Sequence, residues 1–264
     1  MSKNSLSLSI DPIKFGTDGW RGVLGVDFTL DRLMRVAAAS AQELFYRSSF
    51  SEGKNRKVII GYDRRFLAYE MAEAIASAIR GCELEPLLAD SSVPTPACSW
   101  AVVSQKALGA LVITASHNPP QWLGLKIKGP LGGSVEADFT KAVEKRLLMG
   151  EIIYPKKAKN NKFPCREEHI SYLKGKFDIS GIVRGLESLG ISLIVDPMHG
   201  SASGCIPQLL GEEANGIVKE IRGDRDPLFG GNPPEPLVGY ISHLIESIKS
   251  SRMLGKLSMG LVFD

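Results

Sequence analysis

A serine and a histidine stand side by side in Thr114-Ala115-Ser116-His117-Asn118-Pro119-Pro120, directly after the apolar run Leu108 to Ile113. Such a run reads as a buried strand, and the two prolines stop the backbone from continuing as a ladder or a helix. Open α/β proteins place their chemistry at the carboxyl ends of strands. Ser116 is therefore the first candidate nucleophile, a role that needs a base or a cation because a serine hydroxyl is weak at neutral pH. The competing reading is a strand-to-loop turn in which Ser and Asn satisfy local backbone groups.

Three further loops carry groups suited to phosphate or to proton transfer. Phe15-Gly16-Thr17-Asp18-Gly19-Trp20-Arg21-Gly22 offers two glycine turns, a hydroxyl and the planar fork of Arg21, which matches a phosphoryl group. The alternative for it is an N-terminal turn with a surface arginine. Lys126 lies ten positions after Ser116 on the return from the same loop, so the two could face one site. A lysine there serves as a base if its pKa is lowered, and otherwise is a solvated strand end. Asp63-Arg64-Arg65 fits either a helix-start ion pair or a structural brace. Asp264 follows a last apolar run, where a carboxylate could begin a metal site or simply be solvated.

Several chemistries fall away. Gly200-Ser201-Ala202-Ser203-Gly204 has alanine where a nucleophile elbow requires serine. No G-x-x-x-x-G-K-[ST] loop, helix-opening G-x-G-x-x-G or H-E-x-x-H is present, which argues against NTPases, dehydrogenases and a zinc site. A formal charge of +3 on 264 residues, without a long Lys/Arg cluster, argues against a nucleic-acid partner. With 44% hydrophobic and 23% charged residues the composition is that of a soluble globular protein. No apolar run approaches the roughly 20 residues of a membrane span, and the first residues do not resemble a signal peptide. Cys82, Cys98, Cys165 and Cys205 have no paired spacing and read as reduced thiols of a cytoplasmic protein.

The elements that must position these loops alternate along the chain. Helical spacing over Leu30 to Phe45, with Thr29 as its cap, precedes a strand at Lys57 to Tyr62 and a helix from about Leu67 to Arg80 that Gly81 ends. Strands follow at Glu83 to Leu88, Leu108 to Thr114 and Leu123 to Lys128, with helices at Cys98 to Val103 and Val135 to Leu148. Gly150 to Pro164, polar and bracketed by prolines, suits an interdomain connection. A second unit repeats the rhythm: helices at Glu167 to Leu173, Ile179 to Leu189, Ala202 to Leu210 and Leu237 to Ile248, and strands at Ile191 to Val195, Ile217 to Ile221 and Leu257 to Phe263. The expectation is two consecutive α/β domains, 1–152 and 165–264, with mixed, mostly parallel sheets covered by helices and the second domain incomplete.

FGTDGWRG at 15–22 and TASHNPP at 114–120, followed in order by DPMHGSA at 196–202 and NPPEP at 232–236, resemble the α-D-phosphohexomutase family. That family comprises phosphoglucomutases and phosphomannomutases, with phosphoglucosamine mutases as a close branch. The resemblance implies an isomerase that moves a phosphoryl group between the 1- and 6-positions of a hexose phosphate through a hexose 1,6-bisphosphate. It implies that Ser116 carries the phosphoryl group and that Mg²⁺ is held by that phosphoserine and an aspartate loop, of which Asp264 matches the first member. By the same resemblance Lys126 is the general acid/base, His117 supports it, and Arg21 stabilises phosphoryl charge.

The pattern departs from the family in two ways. Leu123-Gly124 precedes Leu125-Lys126 where an Asn-Gly is usual, and the sequence matches only the first two of four domains. On that ground the expectation is impaired turnover. The alternative from a different class is a non-catalytic remnant that serves as a binding or interaction protein. An unfinished second sheet would also expose an edge, so self-association is expected.

Overall fold

A computed structural model describes residues 12–17, 19–48, 55–150, 154–255 and 257–264. The first unit runs β1 (Trp20–Val23), α1 (Leu30–Ser48), β2 (Lys57–Tyr62), α2 (Ala68–Gly81), β3 (Glu85–Ala89), α3 (Thr95–Ser104), β4 (Gly109–Ile113), β5 (Trp122–Lys128), α4 (Ala137–Met149) and β6 (Asn161–Phe163). Its strands form one sheet in the order β1-β5-β4-β2-β3-β6. β4, β2, β3 and β6 are mutually parallel, while β5 and β1 pair antiparallel. β4 is buried along its whole length and β2 from Val58 onward, as central strands covered on both faces must be. Parallel strands need crossover connections, and the helices α2 and α3 supply them.

The second unit is smaller. It comprises α5 (Cys165–Lys174), α6 (Ile179–Ser188), β7 (Ile191–Asp196), α7 (Cys205–Leu210), β8 (Val218–Glu220), α8 (Ser242–Met253) and β9 (Leu257–Val262). Its three strands are parallel in the order β8-β7-β9. Its core gathers Val183, Leu193, Leu210 and Ala214, against a first core that reaches from Trp20 to Cys165. The architecture is that of two consecutive α/β units with mixed, mostly parallel sheets, as the alternating pattern implies.

Local details correct the sequence reading in four places. Arg21 lies on a strand, β1, not in a turn: Trp20 stacks on Phe28 with ring centroids 4.5 Å apart, and the chain enters close to β5. Gly19, at φ +111°, permits this approach, because a Cβ there would meet the Leu125 carbonyl oxygen at 2.4 Å. Asp18 lies outside the described residues. The connection 150–164 is more than a linker, since residues 161–163 form β6 at the sheet edge and Phe163 joins the first core; residues 151–153 lie outside the described set. Gly81 is the last residue of α2 rather than its left-handed terminator, a conformation that falls to Glu83 at φ +59°. Finally, α7 starts at Cys205, after Gly204 breaks the chain at φ +75°, and α8 starts at Ser242.

Candidate active site

Ser116 sits just beyond the carboxyl end of β4 with a left-handed backbone, φ +55°, which is uncommon for a residue with a side chain. Its N–H donates to Thr114 Oγ1 at 3.0 Å, and Asn118 N–H returns to the Ala115 carbonyl at 3.1 Å. The loop is therefore a tight turn, as the local reading expects, but its shape is imposed from outside. Arg65 is almost fully buried and its two terminal nitrogens donate to four carbonyls of the loop. Nη2 reaches Ser116 at 2.7 Å and Asn118 at 2.6 Å; Nη1 reaches Pro119 at 2.9 Å and Trp122 at 3.1 Å. Its Nε lies 3.2 Å from Asp63 Oδ2. Both readings left open for Asp63-Arg64-Arg65 describe Arg65, which pairs with Asp63 just before α2 and braces the serine loop.

Asp63 is held from both sides. Its Oδ1 accepts from Arg65 N–H at 2.9 Å, and Thr114 hydrogen-bonds its carboxyl. Burial pushes the Asp63 carboxyl up and the Arg65 guanidinium opposes that shift. A guanidinium does not lose its proton in a protein, so the pair keeps its charge-assisted character.

The second unit delivers Asp264 to this loop. β9 pairs in parallel with β7 as far as Asp196↔Val262, and Phe263 N–H donates to the Asp196 carbonyl at 3.0 Å. Asp264, one residue further, places Oδ1 3.5 Å from Ser116 Oγ and Oδ2 3.5 Å from His117 Nδ1. Asp196 itself is fully buried, takes Arg222 on both carboxylate oxygens (2.9 and 2.5 Å) and accepts from Met198 N–H. That closed set of partners makes the DPMHG aspartate a fastening of β7 rather than a ligand.

Ser116, His117 and Asp264 thus meet directly. Arg21 joins them through Asn118, whose Oδ1 accepts from its Nη1 at 2.6 Å. Lys126 stands on β5 opposite Val112, inward of the loop, so only the length of its side chain can bring it toward Ser116. Beside it, Gly124 is squeezed where three strands converge: a Cβ would lie 2.7 Å from the Thr114 carbonyl and 2.9 Å from both Arg21 Cγ and the Trp20 carbonyl. The flanking Leu123 and Leu125 are fully buried.

A cleft of about 230 Å³ opens at Ser116 and Asp264, its lining drawn from both units and including Asp63, Arg64, Thr114, Ser201, Phe229 and Pro234. Phe229, buried, lays its ring 4.9 Å from the Arg65 guanidinium carbon. Sequence reasoning passed over Phe229 and met Ser201 only within the discounted Gly200–Gly204 motif; an apolar Leu228-Phe229 between Pro227 and Gly230, inside a polar stretch, was the available signal for the first. For a hard cation, Asp264 and Ser116 offer oxygen donors of the right kind. Among the described residues no group of three or more His, Cys, Asp or Glu side chains gathers at one point. None of the described helices is long and apolar enough to cross a membrane.

Comparison with known proteins agrees with this arrangement. Residues 12–151 match the family model for phosphoglucomutase/phosphomannomutase, alpha/beta/alpha domain I, and residues 167–264 match that for domain II. The "probable phosphoglucosamine mutase" of Methanosphaera stadtmanae is 30% identical over 246 residues, covering 90% of this chain and 50% of that protein. The phosphoglucomutase/phosphomannomutase of Thermococcus kodakarensis is 28% identical over 245 residues, covering 89% and 50%. A solved structure of a phosphomannomutase-type protein from Thermus thermophilus superposes with a TM-score of 0.77 at 33% identity, covering 90% of this chain and 52% of that one. The chain spans about half the length of the curated relatives it matches. Two successive domain matches in the right order, on a fold shared with a solved relative, establish that the chain belongs to the phosphoglucomutase/phosphomannomutase, or α-D-phosphohexomutase, family.

Proposed function

We propose that this chain carries the phosphoserine half of a phosphohexomutase reaction on hexose phosphates of the glucose or mannose type. The observation that carries the reading is the placement of Ser116: a left-handed serine beyond the end of β4, its loop gripped by Arg65, with a carboxylate from the second unit 3.5 Å from its hydroxyl. In the transfer step the Ser116 Oγ–P bond breaks and a bond forms from a sugar hydroxyl oxygen to phosphorus, the hydroxyl proton passing to a base. Phosphoryl transfer of this kind depends on positioning and charge neutralisation more than on covalent chemistry by the protein. Arg21, held near the loop by Asn118, would stabilise charge on the phosphoryl oxygens. Lys126 would take and return the proton, with His117 beside Ser116 assisting. Ser116 and Asp264 would hold Mg²⁺, which when bound neutralises phosphoryl charge. The four cysteines are free thiols, which suits the cytoplasm as the place of action.

The test is the intact mass of this chain after incubation with Mg²⁺ and glucose 1,6-bisphosphate, beside a Ser116→Ala control. Gain of one phosphoryl group by the parent alone is the expected result. A folded chain that gains none would leave the reading of a binding or interaction protein in its place. Repeating the incubation with mannose and glucosamine bisphosphates would rank the hexoses.

A further inference from the structure

Asp264 meets the serine loop without being fixed there by its own side chain. Its contacts to Ser116 Oγ and His117 Nδ1 are both 3.5 Å, longer than a normal hydrogen bond, and 42% of its side chain is exposed. Contacts of that length on a solvated carboxylate do not set a position. Asp264 is placed instead by the backbone that leads to it. That backbone is fastened one residue earlier, where Phe263 N–H donates to the Asp196 carbonyl at 3.0 Å.

Asp196 is thus the anchor, and Arg222 holds it. Three donors converge on the fully buried Asp196 carboxylate. Arg222 Nε at 2.9 Å and Met198 N–H at 3.0 Å reach Oδ1, and Arg222 Nη2 reaches Oδ2 at 2.5 Å. Arg222 lies just beyond β8, so its planar fork crosses from that strand to the end of β7, the central strand of the three. The DPMHG turn closes around the same pair. Met198, His199 and Arg222 all have left-handed backbones, at φ +48°, +62° and +49°, and His199 N–H donates to the Arg222 carbonyl at 2.9 Å. Residues with side chains keep such conformations only where their surroundings impose them. Without Arg222 the Asp196 carboxylate would be a buried charge with one backbone donor, a state relieved by turning the residue toward water. Its carbonyl would turn with it, away from Phe263.

We propose that Arg222 is a positioning residue: through Asp196 it sets where Asp264 stands against Ser116. That the placed carboxylate serves a phosphoryl-bearing serine and its cation rests on the phosphohexomutase reading; the mechanical link does not. Among the described residues the Arg222 side chain hydrogen-bonds to Asp196 alone, so its effect on the serine loop must pass through β7 and β9.

The test is nuclear magnetic resonance on the full chain with Arg222→Gln, Arg222→Lys and Asp264→Ala. In Arg222→Gln the Phe263 amide should exchange with solvent about tenfold faster or more, while the β7–β9 ladder nearer Ile191 and Leu257 keeps its protection. The Ser116 and His117 amide resonances should move in the direction that Asp264→Ala moves them. Arg222→Lys should fall between parent and Gln, because lysine keeps the charge but not the fork. Should Arg222→Gln fail to fold, Arg222→Lys is read in its place, with a several-fold rise at Phe263 expected. Phe263 exchange that rises only in step with the rest of the second unit would overturn the proposal, as would Ser116 and His117 resonances that stay where they are. Phosphoryl uptake from glucose 1,6-bisphosphate, measured on the same proteins, separates the two readings. A parent that gains no phosphoryl group refutes the mutase reading, while the resonances still decide the link. Where the parent does gain one, Arg222→Gln should need several-fold more Mg²⁺ for the same rate; an unchanged requirement would overturn the positioning role and leave the mutase reading standing.

Discussion

Arg65 is the residue on which the serine loop depends. It sets four carbonyls and one carboxylate around a single guanidinium, a geometry that only a planar fork can match. Lysine in its place could satisfy some of these acceptors and would leave others buried and unpaired. Arg65→Met should cost about 3–5 kcal/mol, because Asp63 is left as an uncompensated buried carboxylate, and Arg65→Lys should fall between Met and the parent. Urea unfolding checks both; a loss below about 1 kcal/mol for the methionine variant would mean that the loop is held by its own turns. The sequence announced the loop through Ser116, His117 and the prolines, yet it left Arg65 open between an ion pair and a brace. It is both: the ion pair with Asp63 is local, whereas the brace is not legible because all four carbonyl partners lie more than fifty positions away.

Elements were legible in proportion to how much of their pattern is local. The β2 boundaries follow from a run of β-branched residues, and Thr29 caps α1 by accepting from Arg32 N–H at 3.4 Å. β1 and β6 escaped because each is a short edge strand defined by its partner, β5 in one case and β3 in the other. Gly124 shows the same dependence at one position, since its need for glycine comes from β1 and the Thr114 carbonyl. Gly124→Ala should lower stability by about 1–3 kcal/mol, measured by thermal melting, since the new methyl meets backbone that cannot yield cheaply.

A second element-scale feature joins α1 to α4. Glu43, 6% exposed at its side chain, takes Arg47 and Arg146 on its two oxygens, each at 2.8 Å. Burial pushes its carboxyl up, but the hydrogen bonds from Arg47 and Arg146 more than reverse this and hold it below the usual value. The folded pKa is thus the lower one. The stabilisation is complete above the unfolded value of about 4.3 and drains away as pH falls through the folded pKa. Glu43→Gln should therefore destabilise the protein at pH 7, with the gap to the parent narrowing below pH 4. A gap independent of pH would show that packing, not charge, holds the helices together.

At the scale of the whole molecule, three arginines cross between the units. Arg64 donates to Gly223 and Arg225 to the Arg65 carbonyl, while Arg166 gathers Ser92, Ser201 and Ser203. The smaller unit has exposed apolar groups of its own, Leu257 and Met259 on β9 and Met253 and Leu254 beside it, and β9 has no outer neighbour among the described strands. We propose that this edge mediates self-association. Size-exclusion chromatography with light scattering over a concentration series should show a growing dimer or larger species, and a monomer at the highest concentration would refute it.

The contact between Arg225 and the Arg65 carbonyl spans 160 positions of chain, and the Phe229 ring closes over the same guanidinium. Chains emerge from the ribosome amino end first, and domains fold as they appear. The first unit can therefore assemble its sheet early, while the roof over Arg65 is still unsynthesised. Long-range closures of this kind are slow to form. In a refolding experiment the first sheet should gain its structure ahead of the serine loop, and the geometry around Ser116 should be the last part of the molecule to mature.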